Sequence, residues 1–288
     1  MSMTQIVTML VGASIMMIVF ALGLNSRPRD WVGLLRQPGL LFRSLLAMSL
    51  IMPLVAVLAV KLFRLDTHAA AALLALSLAP VPPLLPGKQT KAGGDTSYAV
   101  NLLVVAALFA VIWIPVALEV IQLIFGVPLA ARPADIIGVV GKTVLLPLLA
   151  GTIVALFIKP DLAQRLSGLL SSVGTLVLLV AAVFILAGAW QAIIAQIGDG
   201  ALMATLVFVV CGLVVGHLLG GPDPNDRSVL ALACATRHPG MAIALAHLEF
   251  PNLKGSVAVV LLYLVVASLV SIPYVIWRKR MSSVRKRR

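Results

Sequence analysis

The sequence predicts an all-α polytopic membrane protein, on three observations. The chain is 61% hydrophobic and 11% charged, where soluble domains run near 25% charged, and its mean hydropathy is +1.10. Apolar stretches of about 20 residues, the length that crosses a bilayer as a helix, recur from end to end and leave no room for a soluble domain. The basic residues gather in the connections between these stretches and after the last of them.

Taken in order, the spans are 6–24, 38–62, 69–86, 96–126, 137–158, 166–195, 200–220, 227–248 and 253–277. Nothing basic precedes the first span, and Asn25-Ser26-Arg27 follows it without a clear small-residue cleavage site, so it is expected to stay in the mature protein. The second carries Met52-Pro53-Leu54. The third is interrupted by Pro80, Pro82, Pro83 and Pro86, then Gly87, Gly93 and Gly94. The fourth and sixth exceed the bilayer thickness and imply tilt or protruding ends. Cys211 and Cys234 fall within the seventh and eighth spans as small buried hydrophobes, with no disulfide expected. The ninth is followed by a basic tail, 278–288.

The net charge of +12 invites a nucleic-acid reading, but its placement points to lipid. Seven of the 22 Lys and Arg lie in the tail, at Arg278, Lys279, Arg280, Arg285, Lys286, Arg287 and Arg288. Such a segment anchors topology on the cytoplasmic side and touches anionic lipid. With the tail inside, alternation puts the N-terminus outside. The inward connections then hold Arg27, Arg29 and Arg36, then Lys159 and Arg165, then Arg227; the outward ones hold Lys61 and Arg64, Arg132 and Lys254. That bias fits an odd number of spans in a cell membrane of the bacterial inner-membrane kind, with no nucleic-acid partner.

The eighth span contains a residue that lipid does not tolerate. Arg237 lies ten residues after Arg227, roughly 15 Å of helix rise, which puts it near the midplane and too deep for easy snorkelling. His238, Pro239 and Gly240 follow, and Pro and Gly break the helix. The third span is broken in the same way, and each broken span is the middle of a triplet. An odd number of helices separates the triplets, so they sit upside down relative to each other. Paired interrupted helices in corresponding halves are the sequence pointer to a transporter binding site. Each half would have five spans if one were missing at the N-terminus.

At these breaks the chain resembles the bile acid:sodium symporter family, within a wider group that includes arsenite and organic-anion carriers. Three stretches carry the likeness: Ala21-Leu-Gly-Leu-Asn25 with Asp30-Trp-Val-Gly-Leu-Leu-Arg36-Gln-Pro38 and Met52-Pro53-Leu54; the proline-rich break with Gly94-Asp95; and Arg237-His238-Pro239-Gly240-Met-Ala-Ile-Ala-Leu-Ala. The resemblance implies ten helices in two inverted five-helix repeats with crossed broken helices, here without the first helix. It implies a single transporter domain over 1–288, with a core of about 38–126 and 200–277 and a panel of about 6–24 and 137–195.

The departures from that family are informative. Its sodium-binding glutamate falls at Ala233, its glutamines at Met48 and Arg237, its Ser-Asn pair at Leu85 and Pro86, and its next Ser and Thr ligands at Ala99 and Leu103. Apolar side chains cannot replace the oxygens that a hard cation needs, so no sodium ligand carries over and no metal or cofactor is expected.

Arg237 leads the candidate substrate-binding residues, either as a fixed charge in place of sodium or as a fork for an anion; its alternative is a structural cation held by carbonyl oxygens. His238 could bind substrate, shuttle a proton or simply pack. Lys88 could line a cavity or belong to a cytoplasmic loop. Thr236, Pro239, Gly240, Gln89 and Asn101 complete the set. His217 and His247 read as packing residues, and Glu119 as an interfacial one. The expected function is secondary transport of a small organic anion by alternating access, without sodium. Alternatives are a sodium-coupled bile-acid or organic-anion symporter, and, less well supported, a membrane sensor or a membrane enzyme, the last lacking a nucleophile–base constellation.

Overall fold

The computed structural model describes residues 3–26, 33–125, 138, 141–196, 198, 200–249 and 255–286. The connection residues Arg27, Arg29, Arg132 and Lys254 lie outside these, as do Asp30 and Trp31 of the first resembling stretch. Among the described residues the secondary structure is helical: α1 (Met3–Asn25), α2 (Pro38–Leu62), α3 (Thr67–Leu78), α4 (Leu85–Lys91), α5 (Thr96–Phe125), α6 (Gly141–Phe157), α7 (Pro160–Ala195), α8 (Ala201–Leu219), α9 (Pro224–Ala235), α10 (Pro239–Glu249) and α11 (Gly255–Lys286). The chain is an all-α polytopic membrane protein. Five of these helices are long and apolar enough to cross a membrane, and α3, α6 and most of α1 are shorter apolar helices.

Local chemistry sets the helix ends. Asp66, Asp95 and Asp223 accept from the backbone N–H groups of Ala69, Tyr98 and Asn225 at 2.9, 2.6 and 2.9 Å, capping donors that the first turn leaves orphaned. Pro38, Pro160, Pro224 and Pro239 each open a helix, where the missing N–H costs nothing. Inside α2 and α6 a proline has a different effect. Met52-Pro53 and Leu146-Pro147 each directly follow a π-helical segment, Leu46–Ile51 and Gly141–Leu145. The wider turn accommodates a ring that would strike the preceding turn of a regular α-helix.

Helices α5, α7 and α11 have 30, 36 and 32 residues, or ~45–54 Å at 1.5 Å per residue, longer than the hydrocarbon layer. Much of α7 faces outward, with Leu176, Leu179, Val183 and Phe184 exposed. In lipid such side chains are in a solvent that suits them.

Two glycine-based crossings bring backbones together. At the first, Gly23 of α1 meets Gly151 of α6: a Cβ on Gly151 would lie 2.2 Å from the Phe20 carbonyl oxygen. Thr152 and Ser167 donate to the carbonyls of Gly23 and Ala21 at 3.2 and 2.7 Å, which ties α6 and α7 to α1. At the second, Gly212, Gly216 and Gly220 run along α8 at four-residue steps and face Ala235, Ala231 and Arg227 of α9, each within 2.8 Å of a Cβ placed on the glycine. This is the small-residue stripe that lets antiparallel membrane helices touch.

Helix α1 packs most extensively on α6 and α7, while α8 packs on α9, α11 and α2, and α3 packs on α2, α10 and α11. A small apolar seam of Val19, Val104, Ala107, Val144 and Leu148 joins α1 and α6 to α5. Further contacts join α7 to α11.

Candidate functional site

The two broken spans meet at their breaks. Helix α3 ends at Leu78, and the chain stays non-helical through Leu84 before α4 begins; α9 ends at Ala235, and α10 starts at Pro239. Ala79 and Thr236 are the extended residues that leave the helices. The His238 N–H donates to the Pro80 carbonyl at 3.0 Å, so the breaks are bonded to each other through backbone.

Why Arg237 sits here follows from missing donors. In an α-helix the Ala79 carbonyl would accept from residue 83, or from residue 82 in a tighter turn, and both are proline. In α2 the Met52 N–H bonds the Ala47 carbonyl, so the Met48 carbonyl would need the N–H that Pro53 lacks. Both freed oxygens turn to the guanidinium: Nη1 donates to Ala79 at 3.3 Å and Nη2 to Met48 at 2.8 Å. Tyr263 of α11 completes the cage. Its hydroxyl accepts from the Arg237 N–H at 2.5 Å and donates to the Ala235 carbonyl at 3.0 Å. The backbone groups released by the breaks thus find protein partners, as a non-helical segment in a membrane requires.

Arg237 is 2% exposed. Among the described residues no carboxylate pairs with it, and its Nε has no partner. A cavity of about 20 Å³ borders the guanidinium, lined by residues of α2, the first break and α5.

The other sequence candidates divide into those at the crossing and those elsewhere. His238 is buried at the crossing; its Nδ1 accepts from the Met241 N–H at 3.2 Å and its Nε2 has no partner. Thr236 is half-buried there with its hydroxyl unpartnered, and Pro239 and Gly240 open α10. Gln89 is fully buried, but its Nε2 donates to the Val229 carbonyl at 2.7 Å, clamping α4 onto α9. Val229 precedes Arg237 by eight residues, roughly 12 Å along a helix. Lys88 is half-buried on the same short helix α4. Asn101 of α5 packs its amide where a Cβ on Gly33 would stand, and Oδ1 is unpartnered. The candidates therefore do not form one cluster: Thr236, His238, Pro239 and Gly240 flank Arg237 at the second break, whereas Gln89, Lys88 and Asn101 lie on α4 and α5.

Sequence reasoning missed Tyr263. Its signal was a lone hydroxyl in the apolar run from Val259 to Val266, one of three tyrosines in the chain. It also missed Trp113, which lines the cavity and whose Nε1 is buried without a partner.

A sequence model of the Sodium Bile acid symporter family matches residues 13–197, which run from α1 to the end of α7 and make up more than half of the chain. The chain belongs to that family. No curated protein matches it. Membership of the sodium bile acid symporter family makes it a secondary transporter of the bile-acid or organic-anion type, multi-pass in a membrane. The family match ends before α8, so Arg237 and Tyr263 are placed by the structure alone.

Proposed function

We propose that this transporter carries a small organic anion by alternating access without sodium, and that Arg237 supplies the charge that a bound cation gives its relatives. The observation that supports this reading is the guanidinium at the helix crossing, bonded to the carbonyl oxygens of Met48 and Ala79. A fixed cation there satisfies oxygens that a sodium ion would otherwise attract. It also repels sodium: two unit charges 4 Å apart interact by roughly 4 kcal/mol at an effective dielectric of 20. Arginine stays protonated at working pH, so its charge is permanent and any coupling proton must travel elsewhere.

In this reading α1, α6 and α7 form the panel and the remaining helices the core, the two moving against each other around Arg237. The N-terminus faces outward and the basic end of α11 faces the cytoplasm. Uptake of radiolabelled carboxylates, bile acids and sulfonates into proteoliposomes tests the proposal, in sodium against choline buffer at fixed pH and potential. Equal uptake in both buffers is expected, with loss in Arg237→Gln and partial recovery in Arg237→Lys, since an ammonium lacks the planar fork. A steep, saturable dependence on sodium would refute it and restore the sodium-coupled symporter.

A further inference from the structure

Helix α11 carries its inward face past the end of its apolar run. Ser271, Tyr274, Arg278 and Ser282 recur at steps of three and four residues, the spacing of one helix face. They are buried or half-buried, whereas Ile276, Trp277, Lys279 and Arg280 are exposed. Two of the four reach the broken spans. Arg278 is 5% exposed and meets α9: its Nε donates to the Ser228 hydroxyl oxygen at 2.7 Å and its Nη2 to the Pro224 carbonyl at 2.5 Å. The Ser228 hydroxyl donates to that same carbonyl at 3.3 Å, closing a ring of three groups. Ser282 meets the turn that follows α4, where a Cβ on Gly93 would stand 2.6 Å from the Ser282 Cβ. The next residue of that turn faces α9, since a Cβ on Gly94 would stand 2.8 Å from Val229 Cγ2. With the bond from Gln89 to the Val229 carbonyl, α4, α9 and α11 are tied pairwise at one end of the molecule.

Helix α4 follows the first break and α9 leads into the second, so whatever orients these two helices sets how the breaks meet at Arg237. We infer that Arg278 is a positioning residue for this crossing: its fork on Ser228 and Pro224 locks α9 onto α11, Ser282 seats the turn after α4 beside it, and the three helices move as one body. Helix α11 grips α9 at both ends, because Tyr263 of the same helix bonds Ala235 and Arg237 at the break. Between these grips the Tyr274 hydroxyl shares a hydrogen bond of 2.8 Å with His217 Nδ1, which anchors α11 to α8. A basic residue that only oriented the chain would need its charge and nothing more. Here two N–H groups of a planar guanidinium reach two acceptors on α9, a geometry that an ammonium does not reproduce. The Trp277 ring, 5.4 Å from the guanidinium carbon, adds a cation–π contact.

The test reads structure and not transport, so its failure is distinct from failure of the sodium-free reading, which the uptake assay decides. Backbone hydrogen exchange is followed in the full-length chain in nanodiscs, with α7 as the internal reference. In a Cys211→Ser background, alkylation of Cys234 by N-ethylmaleimide reports on the crossing, since Cys234 is fully buried on α9 three residues before Arg237. Arg278→Lys keeps the charge of the tail and should still insert. Exchange in α4 and α9 should nonetheless rise about tenfold or more, the scale of losing hydrogen bonds from a charged group, and Cys234 should alkylate faster by a similar factor. Arg280→Gln removes an exposed charge two residues further on and should change neither readout. Ser228→Ala leaves every charge in place and should reproduce the pattern at smaller size; it carries the test if Arg278→Lys fails to insert, and its silence would then refute the role. Unchanged exchange and alkylation in Arg278→Lys, or an equal rise in α7, would overturn the inference. The same rise in Arg280→Gln would also overturn it, by assigning the effect to tail charge.

Discussion

Single residues at the crossing act by withholding donors as much as by supplying them. Pro53, Pro82 and Pro83 each delete an N–H, and the carbonyls left over are those that Arg237 binds. A residue on a different element shows the opposite problem, a charge without help. Asp226 lies in the first turn of α9, ahead of the apolar run, half-buried. Burial, and then the neighbouring carboxylates of Asp223 and Asp95, push it from 3.8 up to about 6. Its folded pKa lies above its unfolded value, so between these values the native state holds a proton that the unfolded chain has released. Its contribution to stability is therefore full below pH 3.8 and lost as pH rises through about 6. Asp226→Asn should raise the unfolding temperature at pH 7.5 and flatten its decline between pH 4 and 7. Identical pH profiles for the variant and the parent would show that Asp226 titrates normally.

At the scale of elements, the pairing of α8 with α9 depends on what is missing from Gly216. A Cβ there would stand 2.4 Å from the Ala231 Cα, a backbone atom that cannot rotate away. Gly216→Val must push the helices apart and should destabilise the protein by at least the ~1–3 kcal/mol typical of overpacking. Gly188 on α7 has nothing within 4 Å of the same construction. Gly188→Ala should thus be neutral or stabilising by up to about 1 kcal/mol, the helix preference of Ala over Gly. Unfolding in detergent compares the two, and equal effects would show that the stripe does not set the contact. The spacing of Gly212, Gly216 and Gly220 is visible in the sequence, but which helix it admits is not. Helix extents were more legible: the second span read as 38–62 is α2, and the first break read at Pro80 begins one residue earlier, at Ala79. Apolar length and proline are local signals. Arg278 shows where local signals end. It reads as the first residue of a tail, yet it is buried on α11, donating to Ser228 at 2.7 Å and Pro224 at 2.5 Å.

For the whole molecule, the helices and their breaks could be read from the sequence, but not the partners of Arg237, because its acceptors lie 158 and 189 residues away in the chain. No periodicity encodes a contact of that span; it exists only once α2, α3 and α9 have packed. The same long-range packing decides which parts could move. The Gly23–Gly151 crossing and the side-chain bonds from Thr152 and Ser167 bind α1, α6 and α7 closely. On one side they meet the rest of the molecule through the small apolar seam that holds Val104 of α5 and Val144 of α6 in one buried cluster. A seam of apolar side chains can slide or part at smaller cost than the close backbone contacts of the glycine crossings. Alternating access between these two bodies requires the seam to change. Val104→Cys with Val144→Cys, in a background of Cys211→Ser and Cys234→Ala, places one thiol on each side. Bridging the pair with a short bifunctional thiol reagent should stop uptake into proteoliposomes, while either single cysteine treated alike should continue to transport. A second pair between α1 and α6, at Val19 and Leu148, should tolerate bridging. If transport persists across a fully bridged Val104–Val144 pair, the two bodies do not separate at this seam, and the moving boundary must lie between other helices.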